Sequence, residues 1–210
     1  MKTAASHYDT VLLNLQANGF ILESDPKLPS VCSLITGSPL RGSWWSDPQA
    51  QTIFQVNELL EDHQDVLITK LVSGKVTFVH RKIWAKVVTI GRSRESWQLK
   101  NLQVPVLSLL KQIESANSIT SADIQWPREA KMKLGDAARV LEKRLLIVAT
   151  QFHSDSGAHE KLLETWEHWM RRRKFKPAKI SSETARSRLE TKLRSLNNEF
   201  AGSASFPWQK

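Results

Sequence analysis

Between residues 70 and 94 the chain carries seven cationic side chains, Lys70, Lys75, Arg81, Lys82, Lys86, Arg92 and Arg94, and no Asp or Glu. A block of one sign concentrates positive potential, and each phosphate it neutralises releases condensed counterions. The chemistry on offer is sequence-independent binding of a polyanion. The same pattern also suits a solvated face whose lysines protect a strand edge. A second block, residues 171–210, holds eleven Lys/Arg against three Asp/Glu and begins with Arg171, Arg172 and Arg173. The first 69 residues run the other way, with three Lys/Arg against eight Asp/Glu. The net charge of +9 is therefore gathered into two islands within neutral or acidic protein. Nucleic acid is the expected partner, DNA favoured over RNA.

Three smaller constellations carry other chemistry. Arg41 precedes Trp44 and Trp45, and an indole exposed beside a cation can stack on an unpaired base, although tryptophans near a helix start more often plug a core. His153, Asp155 and His159 gather two imidazoles and a carboxylate around a turn, ligand types for Zn²⁺ or proton transfer. Their spacing matches no standard metal motif, so a stabilised turn is the stronger reading, and neither a metal nor another cofactor is expected. Asp47, Gln49 and Gln51 stand beside the paired tryptophans. That placement resembles the short polar motifs which some bacterial DNA glycosylases built from winged helices set near such helices. The resemblance implies base excision as an alternative to plain binding; two glutamines at a helix start are more commonly just solvated. Phosphate-cradling motifs of the GxxxxGK[ST] and GxGxxG kinds are missing, which argues against nucleotide-dependent chemistry. The residues also admit a metal-assisted hydrolase or a protein-interaction module, and the sequence assigns no reaction.

The elements that must position these groups follow from periodicity. Tyr8, Val11, Leu12 and Leu15 predict a helix near 7–18 that stops at Gly19. Pro29 suits the first turn of a short helix carrying Val31, Leu34 and Ile35. Asp47 as cap and Pro48 as first residue open a third helix with Ile53, Phe54, Val56, Leu59 and Leu60 inward. Asp65–Val72 and Lys75–His80, joined by Ser73-Gly74, read as a β-hairpin. Three helices followed by a hairpin resemble the winged-helix architecture over roughly residues 7–94, which implies a recognition helix and a DNA-touching wing. The third helix carries Glu58, Glu61 and Asp62 and no Lys or Arg, so wing and post-wing cations must anchor any duplex.

Helices resume at Ile83, Trp84, Val87 and Val88 and again from Val106 to Ile113, with a basic loop over 91–97 between them. Asp136 is placed to cap a further helix, Leu145–Thr150 to form a buried strand, and residues from Ala158 onward to form a helix bearing Leu162, Leu163, Trp166 and Trp169. Ser181 caps a last basic helix, and residues 202–210 are expected to fray. The expected fold is mainly α with short β-hairpins (α+β): a winged-helix-like unit over 1–94, a second helical or similar unit over 95–174 and a basic helical tail over 175–210. No stretch reaches the roughly 18 apolar residues of a membrane span. The lone Cys32 sits among Val31, Leu34 and Ile35, so a reducing, cytoplasmic setting without a membrane is expected.

Overall fold

The computed structural model describes residues 3–40, 42–153 and 159–209, without the side chains of Phe152, His153 and His159. Helix α1 (Ala4–Asn18) begins where Thr3 accepts the amide of Ser6 and ends at Gly19, whose φ of 85° lets its N–H reach the Leu15 carbonyl. The turn at Gly19 leads directly into strand β1 (Phe20–Leu22). This strand has no period-two signature, because all three of its residues are buried. Helix α2 (Val31–Thr36) is capped by a reciprocal Ser30–Ser33 pair, so Pro29 lies before the cap and not in the first turn. Helix α3 (Ala50–Asp62) likewise starts later than Asp47 and Pro48 suggest. The Asp47 carboxylate accepts the Gln49 amide at 2.8 Å, closing a turn ahead of the helix.

Strands β2 (Val66–Thr69) and β3 (Thr77–His80) form the hairpin, shorter than expected, around Ser73 and Gly74, both at positive φ. Strand β3 also pairs with β1, giving an antiparallel sheet in the order β1-β3-β2. Val11, Leu15, Ile21, Cys32, Ile53, Val56, Leu60 and Phe78 form the core between helices and sheet.

The chain divides into two compact units, residues 1–87 with 180–210, and residues 88–179. In the first, helix α9 (Ser182–Glu199) is capped by Ser181 and buries Ala185, Leu189, Leu193 and Leu196. The described residues after it, to Gln209, are packed where fraying is expected. Ser73 and Ser205 exchange two hydrogen bonds, and Phe206 is fully buried, edge-on to Phe20 and stacked on Trp208. Aromatic burial of that size outweighs the entropy of a short terminal segment.

The second unit begins within helix α4 (Trp84–Arg92) and continues through α5 (Ser96–Leu99), so the basic loop expected over 91–97 is confined to residues 93–95. Then come α6 (Val104–Ala116), β4 (Ser118–Thr120), α7 (Leu134–Lys143), β5 (Val148–His153), β6 (His159–Glu164) and α8 (Trp166–Arg172). The sheet order is β4-β6-β5, so the succession of strands repeats that of the first unit. Residues 159–164 are a strand, against the helix expected from Ala158. Leu162, Leu163, Trp166 and Trp169 satisfy helical spacing, but Thr165 accepts the His168 amide and starts the helix only at Trp166. Asp136 pairs with Arg139 in the first turn of α7, after an N-cap at Lys133. Strand β5 begins three residues later than the expected Leu145, which sits at a φ of 53° in the preceding turn and accepts the Trp166 indole N–H at 2.7 Å. The fold is thus mixed α+β, helix-rich, with two small antiparallel sheets.

Candidate nucleic-acid interface

The cations of residues 70–94 do not stand as one open field. Lys75 lies 2.7 Å from the nearly buried carboxylate of Asp25, and Arg81 lies 3.3 Å from Asp65 while its guanidinium rests 5.4 Å from the Trp84 ring centre. Burial alone would push the Asp25 carboxyl up; the Lys75 ammonium and the amides of Leu28 and Lys27 more than offset this and hold it low. Lys70 contributes positive potential at the carboxyl of Glu23. The Lys82 ammonium donates to the carbonyls of Gln16 and Ala17, in the last turn of α1, where a cation also meets the negative end of the helix dipole. In the second unit Arg92 pairs with Glu167, Arg94 with Glu114, and Arg172 holds the fully buried Glu164 through two bonds of 2.9 and 2.6 Å. Arg171 is exposed at the end of α8 and Arg173 is half-buried there; Arg41 lies outside the described residues.

One group of cations is assembled without acid. Lys82 and Lys86 sit four residues apart along the turn and helix after the hairpin, and Arg188 and Lys192 sit four apart on α9. The fold of the first unit brings these two rows together. Burial, then Lys192 and Lys86, lower the pKa of Lys82; burial, then Arg188, lower that of Lys86. Among the described residues no carboxylate forms an ion pair with Lys86, Arg188 or Lys192. Like charges at this spacing disfavour a helix by roughly 0.2–0.5 kcal/mol per pair. The surface therefore carries a small standing repulsion that a polyanion would relieve.

The hairpin offers less than its sequence suggests. Its strands are mostly buried, and its tip at Ser73 is bonded to Ser205. The outer face of α3 shows Gln51, Gln55, Glu58, Glu61 and Asp62 to solvent, with no cation.

Trp44 is buried and Trp45 is 64% exposed, the two rings stacked 4.0 Å apart, and Phe54 leans on the second. One indole plugs the core and its neighbour is an exposed aromatic face. Of the polar residues nearby, Asp47 is occupied by the Gln49 amide, Gln49 is half-buried and Gln51 is exposed.

Glu23, which sequence reading passes over, sits behind Trp44. Burial pushes its carboxyl up against the opposing influence of the Trp44 indole and Lys70, and Asn57 donates to it at 3.4 Å. The buried Asn57 Oδ1 has no hydrogen-bond partner. Nothing in the local pattern around Glu23 marks it, because its partners come from α3 and the strand region.

The Cys32 thiol is fully buried and pushed up to about 11 by that burial, as a small core hydrophobe should be. Strands β5 and β6 pair His153 with His159, while their side chains and Asp155 fall outside the described residues. Among the described residues no cluster of His, Cys, Asp or Glu could hold a metal ion, and no helix is long and apolar enough to cross a membrane.

The model of the family described as AlkZ related matches the chain over residues 5–204. No curated protein and no solved structure matches it.

Proposed function

This chain belongs to the AlkZ-related family, and from that membership we propose that it is a DNA-repair protein which holds duplex DNA by its phosphates. The family's name ties it to AlkZ, a DNA crosslink glycosylase-like protein of DNA repair. The observation that carries the reading is the meeting of Lys82 and Lys86 with Arg188 and Lys192, drawn from the two cationic islands and, among the described residues, without an ion-paired carboxylate. On this reading a winged-helix-like first unit is the rigid support for such contacts, and the post-hairpin turn and α9, in place of α3 and the hairpin tip, face the backbone. Phosphate contacts of this kind give affinity without base specificity. In a fluorescence-anisotropy titration of a labelled duplex, Lys86→Glu with Arg188→Glu should weaken binding to every sequence alike. Unchanged affinity would remove the proposal.

A second reading, base excision, is favoured by Glu23. A half-buried carboxyl with a raised pKa, next to an amide whose oxygen lacks a partner and behind the buried Trp44 indole, has the properties of a general acid. Release of a modified base from a crosslinked duplex, abolished in Glu23→Gln with binding retained, would establish it. Binding with no release would leave the protein a non-catalytic binder.

A further inference from the structure

At the end of α8 the chain closes in a Schellman turn: the Phe175 amide donates to the Met170 carbonyl at 2.9 Å and the Lys174 amide to that of Arg171 at 3.1 Å. The residue at the left-handed position of such a turn is usually glycine; here it is Lys174, with φ of 48°. Met170 and Phe175, the apolar pair that normally staples this motif, form the floor of an open cavity of about 690 Å³, with Pro177 beside them. Arg171, Lys174 and Lys176 line it with positive charge, and Glu167 is the one carboxylate among its lining residues. All of these residues belong to the second unit. We infer that this cavity binds a nucleotide, its base against Phe175 and Met170 and its phosphate against Lys174, Lys176 and Arg171.

Four features support that class of ligand over a merely solvated helix end. Cations at a helix C-terminus ordinarily complement its dipole. The Schellman bonds already satisfy the Met170 and Arg171 carbonyls, and Lys176 lies beyond the helix. Placing lysine where glycine is less strained keeps a cation in the cavity lining at a cost in stability. Glu167 is fixed by Arg92 at 2.9 Å and stays ionised, so the wall presents an acceptor suited to the exocyclic amine of adenine, cytosine or guanine. The cavity lies within the range of small-ligand sites, about 300–1,000 Å³, and combines an apolar floor with few polar groups.

The nucleotide could be a free monophosphate or one extruded from a strand; only the second source rests on the DNA reading. The test compares a fully paired duplex, the same duplex with one unpaired adenosine, and free dAMP, against the wild-type chain, Lys174→Gly and Phe175→Ala. Lys174→Gly relieves the left-handed strain and should melt higher than wild type, so any loss it shows is not unfolding. An extruded source predicts about ten-fold tighter binding of the bulged duplex, with the preference lost in both variants and paired-duplex affinity retained. A free source predicts that dAMP binds, that both variants abolish this, and that the bulge confers no preference. If wild type neither prefers the bulge nor binds dAMP, or if both variants keep whichever activity is seen, the inference is overturned. Failure of the DNA reading shows separately, as absent binding of the paired duplex.

Discussion

Lys86 and Arg188 belong to separate cationic stretches of the chain, yet the fold sets Arg188 close enough to help burial lower the pKa of Lys86. A charge held at a cost points to a use outside the fold, and its sign sets the pH dependence. The folded-state pKa of Lys86 lies below the ordinary 10.5, so the protonated lysine disfavours folding at every pH beneath the lowered value. The penalty is relieved as pH climbs from there through 10.5. Lys86→Gln should therefore stabilise the protein at pH 7 and low salt by a few tenths of a kcal/mol, after screening of this partly exposed group, and raise its melting temperature accordingly. Its advantage over wild type should vanish near pH 11 in thermal denaturation, while its DNA affinity falls.

Lys75 is engaged by Asp25, so its charge is already compensated. Lys75→Gln should weaken duplex binding much less than Lys86→Gln, measured side by side at one salt concentration.

The low pKa of Asp25 makes the complementary prediction for stability. Its contribution is fully present above the ordinary 3.8 and lost as pH falls through the lower folded value. Asp25→Asn should destabilise the protein by about 1–3 kcal/mol at pH 7, since it leaves Lys75 unpaired and weakens the acceptor of two amides. The gap between variant and wild type in urea melts should narrow under acid.

Gly91 leaves no room for a side chain. A Cβ there would stand 2.2 Å from the Trp166 indole nitrogen, which donates to Leu145. Gly91→Ala should cost about 1–3 kcal/mol, as overpacking does, and shift tryptophan emission.

Cys32 should resist alkylation in the native protein and react fully once unfolded, because burial withholds both the thiol and its ionisation. Rapid labelling of the folded chain by iodoacetamide would contradict its core placement.

Elements announced by a cap and a periodic apolar face are legible in the sequence: α1 to Gly19, α6, α9 from Ser181, and the Ser73-Gly74 hairpin. Strands β1 and β4 are not, since three residues give too short a run for alternation. Strand β6 is misread because Leu162, Leu163, Trp166 and Trp169 fit helical spacing while the cap at Thr165 lies within them. The two charge islands are visible in the sequence, but their neutralisation is not, because Asp25, Asp65, Glu114, Glu164 and Glu167 reach their partners through tertiary structure. The four-residue spacings of Lys82 with Lys86 and of Arg188 with Lys192 are the local signs of the face these cations form.

The most direct measurement is the slope of log Kobs against log salt for a single duplex, wild type against Lys86→Gln/Arg188→Gln/Lys192→Gln. Each phosphate contact contributes about 0.9 to that slope in B-DNA. The triple variant should bind more weakly, with a slope reduced by about two to three units and a melting temperature no lower than wild type. A slope unchanged by removing all three cations would contradict the account.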